Sequence, residues 1–490
     1  MSHRQLLTQV QTAIELNSRQ ALFVVLYTYF SEPARVRVAE NRLKLAKARL
    51  PAEPVDLQRR RGPGYLPHWL TPIDETRPID QVHRELSLLT DTDEFEVQAL
   101  RWLRRFDEEL GIAGRQLFNQ QDRYAGFDNR NYWVRPVNRR LADRIEDIVF
   151  ARSGKRTVIT WSGVQAPTIK AYCRRMTALP VAESVSQRCV PVALAERSPL
   201  AAARLSLEWQ RGNFAVILWP FSVPLKFPNE LRDVVVLTEL TNSGQVLANA
   251  LRAIDEAKEE KAAILIYPEL SISEEIEYAI RNRLRTHGPN DYPILTVLGR
   301  THRKRLENEE ESCLNEALVL GPIGEEVQIH RKMTCFVDAK TEVRESISTG
   351  SSVTVLECDW GNLATVICLD FLQSEVKAQL RTSGYANMFL VPSLSPTTKA
   401  HLASADELFI EQLASSFVCN RWLSANGDST DSIASDPISA NSKEAQELLQ
   451  RGASFCRLPH PDAAIRLRIA DPSRHSHLVF NLRNVGTKPP

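Results

Sequence analysis

The sequence has no apolar run long enough to cross a bilayer. Its longest stretches, Ala21–Leu26 and Phe214–Trp219, fall far short of the roughly 20 residues that a spanning helix needs. The start, Met1-Ser-His-Arg-Gln-Leu-Leu7, has no apolar h-region, so no secretory signal is expected. Its eight cysteines are scattered and never form a Cys-x-x-Cys pair. That speaks against a zinc site or a disulfide framework and for free thiols in a reducing compartment, so a cytoplasmic protein is expected. Internal repeats, low-complexity tracts, a P-loop and a polymerase-type Asp-Asp pair are absent as well. Phosphate-cradling and templated-synthesis chemistries therefore lose their usual sequence signals.

What is present is ordinary in bulk: 490 residues, 43% hydrophobic and 25% charged. That length exceeds one ordinary core and predicts two or three domains. Net charge is only +1, yet it is unevenly spread. Residues 1–212 carry about 33 basic and 24 acidic side chains, the remainder about 28 and 36. Such asymmetry suggests domains with different partners, or two oppositely charged domains set against each other.

The texture also changes near residue 213. Before it, helical spacing dominates: Leu6, Leu7, Val10, Ala13 and Ile14, then Val36–Leu50, 94–118, Val137–Arg152 and Ala201–Trp209. Thr157–Trp161 reads as a strand. Pro51–Pro78, with Arg59–Arg61 at its centre, reads as a linker or surface loop. Arg130–Arg135 interleaves aromatics with arginine as single-strand binders do. The favoured reading is a helix start that packs Tyr132 and Trp133 while arginine stays in water. His475 and His477 lie in an unpatterned tail and are expected at the surface.

Beyond residue 213, short β-branched runs alternate with helices. Strands are expected at Phe214–Trp219, Val234–Leu237, Ala263–Tyr267, Ile294–Leu298, Glu316–Leu320, Val353–Leu356, Ala364–Cys368, Met388–Val391 and Trp422–Ala425. Helices are expected near 243–260, 272–285, 374–383 and 404–418. This alternation marks an α/β fold with a substantial sheet.

Three segments of this half carry reactive side chains at or just after a strand: Ile266-Tyr-Pro-Glu-Leu270, His330-Arg-Lys-Met-Thr334 and Val366-Ile-Cys-Leu-Asp370. Hydrolysis of an unactivated C–N bond needs a nucleophile, a base and positive charge for the oxyanion. Cysteine serves as the nucleophile only as thiolate. Glu269 in a desolvated pocket could take the thiol proton of Cys368 and later activate water. Lys332, with a backbone N–H, could stabilise the oxyanion. Singly, each residue has a bland reading: a buried core cysteine, a strand-end turn, a solvated lysine.

Together these segments resemble the nitrilase (carbon–nitrogen hydrolase) superfamily: strand-Pro-Glu, Arg-Lys before a hydrophobic segment, then strand-Cys-x-Asp. Secondary landmarks agree: Asn249, the stretch Asn315–Gly324, Glu345–Gly350, Phe389–Ser393 and Ala414–Asn426. The resemblance spans roughly residues 213–485. It implies a four-layer α-β-β-α sandwich over 213–490, preceded by a mainly α-helical, Arg-rich domain over 1–212. By the same resemblance Glu269 is the general base, Lys332 the oxyanion stabiliser, Cys368 the nucleophile and Glu345 an auxiliary acid that positions substrate. No cofactor or metal is called for. Two such units usually pair across an α face, so a homo-oligomer is implied. The sequence departs from the family where Phe371-Leu-Gln-Ser374 replaces the arginine that often follows Cys-x-Asp.

Two functions are then in view. The first is a hydrolase of a small amide-like substrate through a thioester, with amide or carbamoyl favoured over nitrile. The second is a regulated effector, as in antiviral defence. Its basic N-terminal half would bind nucleic acid, a nucleotide or a protein partner and so control the hydrolase half. An inactive relative is a third, weaker reading.

Overall fold

The computed structural model describes residues 3–32, 34–36, 38–39, 79, 81–89, 92–113, 123–136, 173, 176–180, 189–221, 234–307, 310–337, 344–358, 360–382, 386–412, 414–421, 443–458, 467–470 and 477–482. Residues 40–50, Pro51–Pro78, Val137–Arg152, Thr157–Trp161, Trp422–Ala425 and His475 fall outside these. The described residues form two units, one up to 136 with 173 and 176–180, the other from 189 onward.

The first unit packs helices His3–Glu15, Arg19–Tyr29, Gln81–Ser87 and Thr92–Ala113 around one apolar cluster. Ser18 caps the second helix by accepting from the Ala21 N–H, and that helix is buried from Ala21 through Tyr29. A helix apolar all round must sit inside its unit. The helices are joined by a small antiparallel sheet of β1 (Tyr124–Ala125), β2 (Asn131–Pro136) and β3 (Met176–Pro180). The segment read as a helix start is thus strand β2. Its alternation decides the matter: Asn131 is exposed while Tyr132 and Val134 are buried, a period of two.

The second unit is built on two sheets. The first has the order β12 (Glu326–Arg331), β11 (Glu316–Leu320), β8 (Leu295–Gly299), β7 (Ile264–Ile266), β5 (Ala215–Leu218) and β20 (Leu478–Asn481). In it β5, β7 and β8 run parallel. The second has the order β19 (Leu467–Ile469), β18 (Phe455–Arg457), β17 (Ser415–Asn420), β16 (Met388–Ser393), β15 (Gly361–Thr365), β14 (Val353–Cys358) and β4 (Cys189–Ala193). Here β15, β16 and β17 are parallel. Two smaller pairings complete the unit: β6 (Val234–Val235) with β13 (Arg344–Glu345), and the hairpin of β9 (Arg303–Glu307) and β10 (Glu310–Leu314).

Strand alternation sorts the apolar side chains into layers. Val216, Leu218, Ile264 and Ile266 from one sheet share a core with Leu363, Met388, Leu390 and Phe417 from the other. The opposite face of the first sheet (Ala215, Ile217, Leu265) packs on Ile254, Ile276 and Ile280 of helices Ser243–Glu259 and Glu274–His287. The outer face of the second (Val355, Ala364, Val391) packs on Val376, Leu402 and Leu449 of helices Ser374–Thr382, Lys399–Gln412 and Lys443–Gln450. The layering is α-β-β-α.

Three expectations need correction. The division at 212/213 falls too late, because β4 pairs in parallel with β14 and places residues from 189 onward in the second unit. The helix expected over 404–418 ends at Gln412, and Ser415–Asn420 is a strand whose residues are all buried. His477 is not a surface residue: it is buried and its ring stacks on Trp219 with centroids 4.8 Å apart. Among the described residues no helix is long and apolar enough to cross a membrane.

Candidate active site

Parallel strands deliver side chains to a common place at their C-terminal ends. Glu269 follows β7, Cys368 follows β15, and Ser393 and Leu394 stand at and just beyond the end of β16. Lys332 directly follows antiparallel β12, and Glu345 is the last residue of β13. The four residues picked from the sequence come together and are withdrawn from water, at 2% exposure for Glu269 and Lys332, 3% for Glu345 and 5% for Cys368.

The backbone is shaped to allow this. Gly299 lies against the Pro268–Glu269 peptide so closely that a Cβ there would stand 2.0 Å from the Pro268 carbonyl oxygen. Only glycine fits, and its carbonyl accepts from the Ser271 and Ile272 N–H groups of the turn beyond. Leu270 (φ 57°) and Cys368 (φ 40°) both adopt the left-handed region that side chains disfavour. Strain of this kind persists only where the surroundings enforce it.

Asp370 supplies part of that enforcement. Its buried carboxylate accepts from the Met333 N–H at 3.0 and 3.1 Å and pairs with His330 Nε2 at 3.0 Å. The turn holding Cys368 is thereby stapled to the segment holding Lys332.

The hydrogen bonds distinguish the two glutamates. Lys332 Nζ donates to Glu269 Oε1 and to Glu345 Oε2, each at 2.8 Å. Asn315 Nδ2 donates to Oε1 of both, at 2.8 and 2.7 Å; two carboxylate partners require the amide nitrogen, not its oxygen, to face them. Glu345 also binds His302 Nε2 at 2.9 Å and the Phe336 N–H at 3.0 Å. Its four acceptor positions are filled. Glu269 takes one more bond, from the Leu394 N–H at 3.0 Å, which leaves one position open among the described residues.

His302 has a fixed tautomer. Its Nδ1 accepts from the Leu237 N–H at 2.8 Å, so its ring proton sits on Nε2 and points at Glu345. Nothing in Arg300-Thr-His-Arg303 marks this residue in the sequence. Neither did the sequence single out Ser393 as a contact of the thiol, whose Oγ lies 3.3 Å from Cys368 Sγ.

Burial works against the charge on Lys332, Glu345 and Cys368, and the neighbours decide the outcome. Burial pulls the Lys332 ammonium down, but the Glu269 and Glu345 carboxylates outweigh it and leave its pKa raised. Burial pushes Glu345 up, but the bond from His302 and the charge of Lys332 hold it well below the usual carboxylate range. Burial, with the negative charge of Glu269, pushes the Cys368 thiol up to about 12 despite Lys332 and Ser393. The resting sulfur therefore carries its proton. Among the described residues no group of three or more His, Cys, Asp or Glu side chains is arranged to hold a metal ion.

Compared with known families, residues 238–411 match Carbon-nitrogen hydrolase. Among solved structures, the chain is similar to Nit3 of Saccharomyces cerevisiae, a member of branch 10 of the nitrilase superfamily (15% identity, 55% of this chain and 90% of that one, TM-score 0.37). It is also similar to the NitN amidase from Nesterenkonia sp. AN1 (16% identity, 56% and 94%, TM-score 0.34). A carbon–nitrogen hydrolase from Helicobacter pylori G27 is a third (12% identity, 56% and 90%, TM-score 0.36). No curated protein sequence matches the chain.

Proposed function

Residues 238–411 are a carbon–nitrogen hydrolase domain of the nitrilase superfamily, and from that premise we propose that the protein hydrolyses a small amide or carbamoyl compound through a thioester on Cys368. The observation that carries this reading is that, among the described residues, Glu269 keeps one acceptor position open beside the buried Cys368 thiol. Glu345, filled on all four sides, has no such position.

In this reading the thiol proton passes to Glu269 as Sγ attacks the amide carbon. The negative charge that leaves the carboxylate reappears on the substrate oxygen. Lys332 has three donors and spends two on carboxylates among the described residues, so one remains for that oxyanion. The tetrahedral intermediate collapses, Glu269 returns the proton to the departing amine, and a thioester is left. Water then loses a proton to Glu269 and attacks the thioester, and the acid departs with the thiol restored. Throughout, the cluster keeps a net charge of about −1, with no isolated charge created in a dry pocket. Glu345 and His302 hold Lys332 in place rather than exchange protons.

Ammonia release from a panel of small primary amides and carbamoyl compounds tests the proposal. Turnover by the wild type and none by Cys368→Ala is expected. An active Cys368→Ala protein would contradict it. A second reading, in which the basic N-terminal half controls the hydrolase half, makes a separate prediction: salt-sensitive binding of single-stranded nucleic acid by the full chain.

A further inference from the structure

Behind the nucleophile lies a chain of buried polar groups that the scheme above does not use. Ser393 Oγ is 3.3 Å from Cys368 Sγ on one side and 3.3 Å from His401 Nε2 on the other. Ser393 ends β16 and is fully buried; His401 lies in helix Lys399–Gln412, is 1% exposed, and sits beside the ring of Phe371. The other ring nitrogen, Nδ1, has no hydrogen-bond partner among the described residues.

That vacancy fixes the direction of the chain. A buried N–H left without an acceptor is rarer in folded proteins than a buried lone pair left without a donor. The ring proton therefore sits on Nε2 and is donated to Ser393 Oγ. The hydroxyl, with that lone pair taken, directs its own proton at the sulfur. Burial agrees, since it holds His401 down at about 4 and keeps the ring neutral.

We propose that Ser393 and His401 are positioning residues for Cys368: His401 fixes the Ser393 hydroxyl as a hydrogen-bond donor to the sulfur and so favours the thiolate when Glu269 takes its proton. This rests on the reading of Cys368 as the nucleophile. Glu269 and Lys332 are the charged groups that act on the thiol from the strand ends opposite, and the Leu394 N–H also reaches it. Ser393 and His401 add a neutral contribution from the helix side of the second sheet. Asp370, two residues along the turn, accepts from the Met333 N–H and pairs with His330 Nε2, and neither contributes a donor to the sulfur.

The test is the rate of alkylation of Cys368 by iodoacetamide as a function of pH, read by peptide mass spectrometry on the full chain. Ser393→Ala is expected to move the profile to higher pH and to slow labelling at neutral pH about tenfold, the size of one hydrogen bond to a charged group. Ser393→Thr keeps the hydroxyl and is expected to restore the wild-type profile. His401→Phe is expected to shift it in the same direction by less, and His401→Gln, which can still donate, to restore it. Because a merely structural role would not move the pH profile, a Ser393→Ala profile that superimposes on the wild type overturns the proposal. If Ser393→Ala does not fold, a superimposing His401→Phe profile does the same. Wild-type Cys368 that never labels while other cysteines do would overturn the nucleophile assignment itself, a distinguishable failure.

Discussion

The second unit buries two clusters of charge, and they are finished differently. One is centred on Arg300, whose Nε and Nη2 grip Glu277 at 2.9 Å each while Nη1 reaches Glu316 at 3.1 Å. Arg281 and Arg303 also donate to Glu277, which fills all four of its acceptor positions. The other is centred on Lys332. There Glu345 is equally full, but among the described residues Glu269 keeps an open position, Lys332 keeps a donor, and a thiol stands beside both. With the Glu277 carboxylate saturated, the Arg300 cluster braces helix Glu274–His287 against β8 and β11. With Glu269 left unsaturated among the described residues, the Lys332 cluster retains the capacity to accept and deliver a proton. The contrast separates buried charge that holds a fold from buried charge that can do chemistry.

The largest effects should come from breaking the unsaturated cluster. Cys368→Ala should abolish turnover with the melting temperature little changed. Glu269→Gln should lower kcat by at least about a thousandfold, since it removes the base yet keeps the shape; amide hydrolysis assays on folded protein check both. Lys332→Met should cost about a hundredfold or more in kcat through the lost oxyanion donor. It should also destabilise the fold, because two carboxylates lose their cation.

The Arg300 cluster should respond through stability alone. Arg300→Met leaves Glu277 and Glu316 buried without their main partner and should cost about 3–5 kcal/mol in urea denaturation. The fraction that remains folded should turn over at the wild-type rate. His302→Ala removes one of four donors to Glu345 and loosens Lys332 without touching the reacting atoms. A decrease in kcat of about tenfold is expected.

The remaining effect is a pH dependence. Burial holds the folded-state value of His401 at about 4, below its ordinary 6.5, so the unfolded chain takes up the proton first. Stability from this residue is full above 6.5 and is lost as pH falls from there to about 4. His401→Gln should flatten that part of the urea-midpoint curve.

Much of this was legible in the sequence, for identifiable reasons. Glu269, Lys332 and Cys368 stand out because each is a reactive side chain at or just after a strand-like run, and Glu345 because its stretch resembles one in a known family. The central strands show because β-branched runs such as Ala215–Leu218 and Ile264–Ile266 leave little alternative. Strand β17 was hidden because Ser415 and Ser416 lack the side chains that announce a strand, although both are fully buried. Strand β4 was hidden because its partner, β14, is far along the chain. His302, Ser393 and His401 were missed for another reason: their roles arise from contacts across elements, and no local pattern encodes a ring nitrogen 3.3 Å from a distant hydroxyl.

The decisive question is whether the unsaturated cluster activates one thiol among eight. The direct measurement is brief exposure to limiting iodoacetamide, with each cysteine quantified by peptide mass spectrometry in wild type and Glu269→Gln. The account predicts fast, single labelling at Cys368 that is lost when Glu269 becomes glutamine. Labelling that is spread over the cysteines, or that is indifferent to Glu269, would contradict it.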